Sequence, residues 1–137
     1  MIISEIFHYR FVAEIRPPTS FYYLPEGNIT GYEVLVDIGS NFNPEKGIFT
    51  CPDEATYVFI VDSQKSGQYQ KFGAMWISVN GDHVQDVWEK DRENALHLNG
   101  LVALNLRKGD EVNVYNVVAD SVEVYRDGPF TFIGYQV

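Results

Sequence analysis

The chain has 137 residues, 45% of them hydrophobic and 15% aromatic, with nine Tyr and nine Phe. That is enough apolar material for one folded core and too much for a disordered chain. Ten Lys and Arg against 19 Asp and Glu leave a formal charge of −9, which argues against binding to phosphate backbones or anionic lipid.

The first residues, Met1-Ile2-Ile3-Ser4-Glu5, carry neither a basic lead nor a long apolar run. No stretch of about 18 apolar residues is present to insert into a bilayer. Phe7, Tyr9, Phe11 and Ala13 alternate with polar neighbours, as one face of a strand does, and Arg16-Pro17-Pro18 ends the run because proline cannot donate to a ladder. Asn28-Ile29-Thr30 follows Pro25-Glu26-Gly27 in a turn-rich stretch and matches the acceptor pattern for N-linked glycosylation, which places Asn28 among the candidate sites. A second strand is expected over Tyr32 to Ile38. The turn residues Asn43 to Gly47 then lead into Ile48-Phe49-Thr50.

Thr56 to Val61 is continuously β-branched or aromatic, which predicts a central strand buried on both faces. Phe72 to Val79 and His83 to Trp88 flank Asn80-Gly81, a pair favoured in two-residue hairpins, where both central residues need positive φ. Leu96 to Leu106 and Val112 to Val118 flank the turn Arg107-Lys108-Gly109-Asp110. Arg126-Asp127-Gly128-Pro129 precedes a last strand, Phe130 to Val137. Short strands at this spacing, with no helical period, repeat or linker, predict one all-β domain over residues 1–137. The expected form is a jelly-roll β-sandwich of about ten antiparallel strands.

Two stretches carry a resemblance. Gly39-Ser40-Asn41-Phe42-Asn43-Pro44 runs into Gly47-Ile48-Phe49-Thr50-Cys51-Pro52 and then Tyr57-x-Phe59; Leu104-x-Leu106 runs into Gly109-Asp110-Glu111-Val112 and the closing Thr131-Phe132-Ile133-Gly134-Tyr135. In order and spacing these resemble the globular head of complement C1q, in the C1q/tumour-necrosis-factor (TNF) superfamily, from about Tyr9 to Val137. The chain departs from the pattern at Asp53-Glu54-Ala55, where the family has Pro-Gly, and its 137 residues contain no Gly-x-y repeat.

The resemblance implies a homotrimer of jelly rolls, secreted, that binds a protein or a glycan, with innate-immune pattern recognition as one such role. A TNF-like receptor ligand and an adhesion or structural trimerisation module are the alternatives. Tyr9, Phe11, Tyr57, Phe59 and Phe132 are the interface candidates, weighed against packing in the chain's own core. Trp76 and Trp88 are candidates for stacking on a sugar. Asp82, Asp86, Glu89, Asp91 and Glu93 supply five carboxylates of the kind calcium takes, in a region where some relatives hold that ion, although Leu96 stands where one relative's acid would fall.

No catalytic layout emerges. There is no G-x-S-x-G, H-E-x-x-H, phosphate-binding glycine loop or C-x-x-C, and His8, His83 and His97 lack ligand spacing. Cys51, the sole cysteine, has no partner for an internal disulfide and reads as a small buried hydrophobe. The sequence predicts a binding module, with no catalytic residue and no certain cofactor.

Overall fold

The computed structural model describes residues 8–64, 75–89, 97–117 and 123–137. The described residues form strands, turns and loops, without helix. The strands are β1 (Arg10–Ile15), β2 (Phe21–Tyr23), β3 (Gly27–Asn28), β4 (Glu33–Ile38), β5 (Phe42–Asn43), β6 (Ile48–Thr50), β7 (Ala55–Gln64), β8 (Met75–Val79), β9 (Asp82–Asp86), β10 (Trp88–Glu89), β11 (His97–Leu106), β12 (Glu111–Asn116), β13 (Glu123–Tyr125) and β14 (Phe130–Gln136). The count exceeds the expected ten because β2, β3, β5, β10 and β13 have two or three residues each, too short to leave a period-2 signature.

Two antiparallel sheets face each other. The first runs β10-β11-β7-β14-β1-β4; the second runs β5-β6-β12-β8-β9, with β3 added beside β12. A small ribbon, β13-β2, pairs with neither sheet but packs on the core, where Val124 is fully buried. This is the predicted sandwich, with β7 in the interior of its sheet as expected.

Alternation decides what fills the space between the sheets. Along β7, Tyr57, Phe59 and Val61 have no exposed surface, while Val58 and Ile60 on the other face are half-buried. The strand is therefore fully covered on one face and not, as its composition suggested, on both. From the second sheet, Met75, Ile77, Val112 and Val114 point inward to meet it.

An aromatic cluster dominates the core. Phe11 stacks on Phe42 with centroids 4.4 Å apart and meets Phe132 edge-on at 5.0 Å; Phe49 packs against Phe59 at 5.5 Å. Gly134 makes this possible. It lies in register between Phe11 on β1 and Phe59 on β7, and a Cβ there would sit 2.8 Å from the nearer Phe59 ring carbon and collide with Phe11.

Four of the expected interface residues, Phe11, Tyr57, Phe59 and Phe132, thus belong to the chain's own core. A side chain with no exposed surface has none left for a partner. Tyr9 is half-buried against the core cluster, and its hydroxyl donates to Asp53 Oδ2 at 3.0 Å.

The turns follow the predicted chemistry. Asn80 and Gly81 have φ of 51° and 86° and close the β8–β9 hairpin. In the β11–β12 turn, the Asp110 carboxylate accepts the Arg107 N–H at 2.8 Å and the Asn80 side-chain amide at 3.0 Å. These bonds hold the Asp110 carboxyl below the ordinary carboxylate value, the backbone bond contributing most. Where the family's Pro-Gly is missing, the Asp53 carbonyl accepts both the Tyr57 hydroxyl (2.8 Å) and the Cys51 thiol (3.0 Å). Burial pushes both of those groups above their ordinary values.

Candidate functional site

Two outward faces combine residues that are distant in sequence. On the first sheet, cross-strand register aligns Val36, Val12, Ile133, Ile60 and Leu101 in one row across β4, β1, β14, β7 and β11. Residues directly opposite on one face are close neighbours, so the five form a continuous apolar band. Leu101 is 62% exposed and Val36 39%. A bulge between Val12 and Ala13 shifts the register with β4 and leaves Leu35 exposed beside Val36, lengthening the band.

The flanking rows differ in character. On one side lie Ile38, Arg10, Tyr135, Val58 and Ala103; on the other lie Glu33, Glu14, Thr131, Asp62 and Asn99. The band therefore grades into mixed residues at one edge and a polar, acidic border at the other. Glu14 in that border is only 8% exposed, with its carboxylate 3.3 Å from Arg16 Nε.

The second sheet presents a different surface. Trp76 and Ser78 on β8, and Glu111, Asn113 and Tyr115 on β12, line an open cleft of about 660 Å³ bounded by Asn28. Inward neighbours Ile77, Val112 and Val114 are buried, so strand alternation alone forces this second set outward.

Along the cleft floor, the Ser78 hydroxyl donates to Asn113 Oδ1 at 2.7 Å, and Asn113 Nδ2 donates to Asn28 Oδ1 at 2.8 Å. Above it, Trp76 stacks on His83 (4.5 Å, 9°) and on Tyr115 (5.6 Å, 14°). His83 is on β9 and Tyr115 on β12, which flank β8 on opposite sides, so Trp76 has a ring beside each of its faces.

The other predicted site residues are dispersed. Trp88 lies in β10, opposite Asn99, and its side chain lies outside what is described. Asp82 and Asp86 sit on β9. Asp86 Oδ1 is 2.7 Å from His83 Nε2, so it already has a partner. The backbone of Glu89 is in β10, whereas Asp91 and Glu93 fall outside the described residues. Among the described residues no three acidic, His or Cys groups converge on one point. No described helix is long and apolar enough to cross a membrane.

Ser78, Asn113 and Tyr115 escaped the sequence reading, and their signal is the alternation Trp76-x-Ser78-x-Asn80 and Glu111-x-Asn113-x-Tyr115, which places polar and aromatic residues together on one face. His83, set aside for its lack of metal-ligand spacing, joins them from β9.

Comparison with protein families matches residues 11–137 to the C1q domain. No curated protein matches at the level of whole-chain sequence. Among solved structures, the globular domain of zebrafish complement 1qA is similar, with a TM-score of 0.64 at 15% identity over 94% of this chain and 97% of that one. Murine APRIL is similar at 0.60, with 11% identity over 96% of this chain and all of the other. The Eiger TNF of S. frugiperda reaches 0.56, with 11% identity over 95% and 91%. At these identities the structural likenesses speak for the fold alone.

Proposed function

Because the chain belongs to the C1q-domain family, we propose that it is a non-catalytic, extracellular recognition head that works as a homotrimer, with the first sheet's outward face against the trimer axis. The observation that carries this reading is the row Val36–Val12–Ile133–Ile60–Leu101. An apolar band five strands wide is an unusual thing to leave in water, and burying each such side chain contributes about 1.5–3 kcal/mol. The graded borders suit closure around an axis, with the acidic row toward solvent. Three copies is the number that family membership supports.

For the ligand, a protein is the better-supported class. Trp76 has His83 and Tyr115 beside its two faces, so neither face is free to stack on an external sugar. The likeness in fold to APRIL and to an Eiger TNF keeps a TNF-like receptor ligand as the second reading. The Gly-x-Phe-Thr-Cys-Pro run at Gly47–Pro52 and the family match both favour the C1q branch.

The test is light scattering on the purified chain at micromolar concentration, where a mass about three times 15.6 kDa is expected. The double variant Ile60→Asp/Ile133→Asp places charges at the middle of the band and is expected to run as a folded monomer by circular dichroism. A wild-type mass equal to one chain overturns the proposal.

A further inference from the structure

Asn28-Ile29-Thr30 is an acceptor tripeptide for N-linked glycan transfer, and the fold places its parts in a consistent way. Asn28 and Thr30 are exposed, while Ile29 between them is 1% exposed and anchored in the core. The Ile29 N–H donates to the Val114 carbonyl at 2.9 Å, which pins the tripeptide beside β12.

The Asn28 amide is also oriented. Its Oδ1 accepts from Asn113 Nδ2 at the cleft floor, so the planar amide turns Nδ2, the atom to which a glycan attaches, away from that bond. Opposite Asn28 in the β3–β12 ladder stands Tyr115. A group on Asn28 Nδ2 starts at the rim of the 660 Å³ cleft with the Tyr115 ring within one ladder step.

We propose that Asn28 carries an N-linked glycan whose first sugar lies in the second-sheet cleft, its C–H face against Tyr115 and its polar groups over the Ser78–Asn113 floor. In the transfer, Asn28 Nδ2 bonds to the anomeric carbon of an oligosaccharide carried on a lipid pyrophosphate. The bond from that carbon to the pyrophosphate oxygen breaks, the pyrophosphate leaves with the electron pair, and Nδ2 gives up one proton. The glycan then roofs the polar floor and leaves the apolar band on the opposite sheet bare for assembly. The inference rests on the extracellular reading, since the sugar donor belongs to the secretory route, but not on trimer formation.

The full chain, secreted from cultured animal cells behind a cleavable leader, is compared with the same chain made in bacteria. Mass spectrometry is expected to find a glycan at Asn28 in the secreted form. Peptide-N-glycosidase should release it and leave Asp at position 28, and the Asn28→Gln and Thr30→Ala chains should lack it. A secreted chain unmodified at Asn28 overturns the site. For the seating of the sugar, the secreted wild type is expected to melt several degrees above the bacterial form, and Tyr115→Ala is expected to keep the glycan but lose at least half of that difference. Should Tyr115→Ala fail to fold, Tyr115→Leu keeps the bulk without the flat ring and serves in its place. An undiminished difference overturns the seating. Light scattering of the bacterial form, expected to give the same oligomer, keeps failure here distinct from failure of the assembly.

Discussion

At the scale of single residues, the smallest side chain sets the tightest constraint. Gly134 lies between Phe11 and Phe59 in adjacent strands, and any Cβ there enters both rings. Gly134→Ala is expected to destabilise the fold by about 1–3 kcal/mol, as overpacking of a filled core does. Denaturant unfolding measures it, and an unchanged midpoint would show that the rings can move aside. Asp110 gives a pH prediction. Its carboxyl titrates below the ordinary value in the folded chain, so its contribution is complete above that ordinary value, about 4, and is lost as pH falls through the lower folded value. Asp110→Asn should be less stable than wild type at neutral pH, and the two unfolding curves should converge as pH drops below about 4. A constant gap down to low pH would mean that Asp110 acts by shape and not by charge.

At the scale of elements, β8 and β12 are tied by more than their ladder. Asn113 links Ser78 on β8 to Asn28 on β3, so three strands share one side-chain chain of hydrogen bonds. Ser78 is 3% exposed, and Asn113→Ala leaves its hydroxyl without that acceptor. The expected loss is about 1–3 kcal/mol, the penalty of a buried polar group left unpaired. Adding Ser78→Ala removes the orphaned group, so the double variant should be more stable than the sum of the two singles predicts. Strict additivity in denaturant melts would show that the bond is energetically idle. The same alternation works oppositely on the first sheet, where β7 turns aromatic rings inward and Val58 and Ile60 outward. One strand therefore serves core and candidate interface at once.

At the scale of the whole molecule, the two sheets divide the work: one carries the apolar band, the other a polar cleft with aromatic walls. If assembly covers the band, folding and association are linked and the melting temperature depends on concentration. It is expected to rise across a hundredfold increase in chain concentration for wild type and to stay level for Ile60→Asp/Ile133→Asp. Calorimetry at two concentrations measures both, and a level wild-type response would set the linkage aside. The net charge of −9 keeps the remaining surface self-repelling, which favours a closed assembly over open aggregation.

What the sequence determined by itself was local. The Asn80-Gly81 hairpin, the stop at Arg16-Pro17, the strands around Tyr57 and Phe132 and the run Gly47–Pro52 with its family resemblance are written in neighbouring residues and in a period of two. That period says which residues share a face, and so nearly the whole sandwich was legible. It does not say which face is inside or which strands lie side by side. Only the tertiary structure decided that Phe11, Tyr57, Phe59 and Phe132 serve the core and that Val36, Val12, Ile133, Ile60 and Leu101 meet in one row. Residues 12 and 133 become neighbours through strand pairing across the length of the chain. Such pairing follows from the joint burial of many side chains, and no short window of sequence contains it.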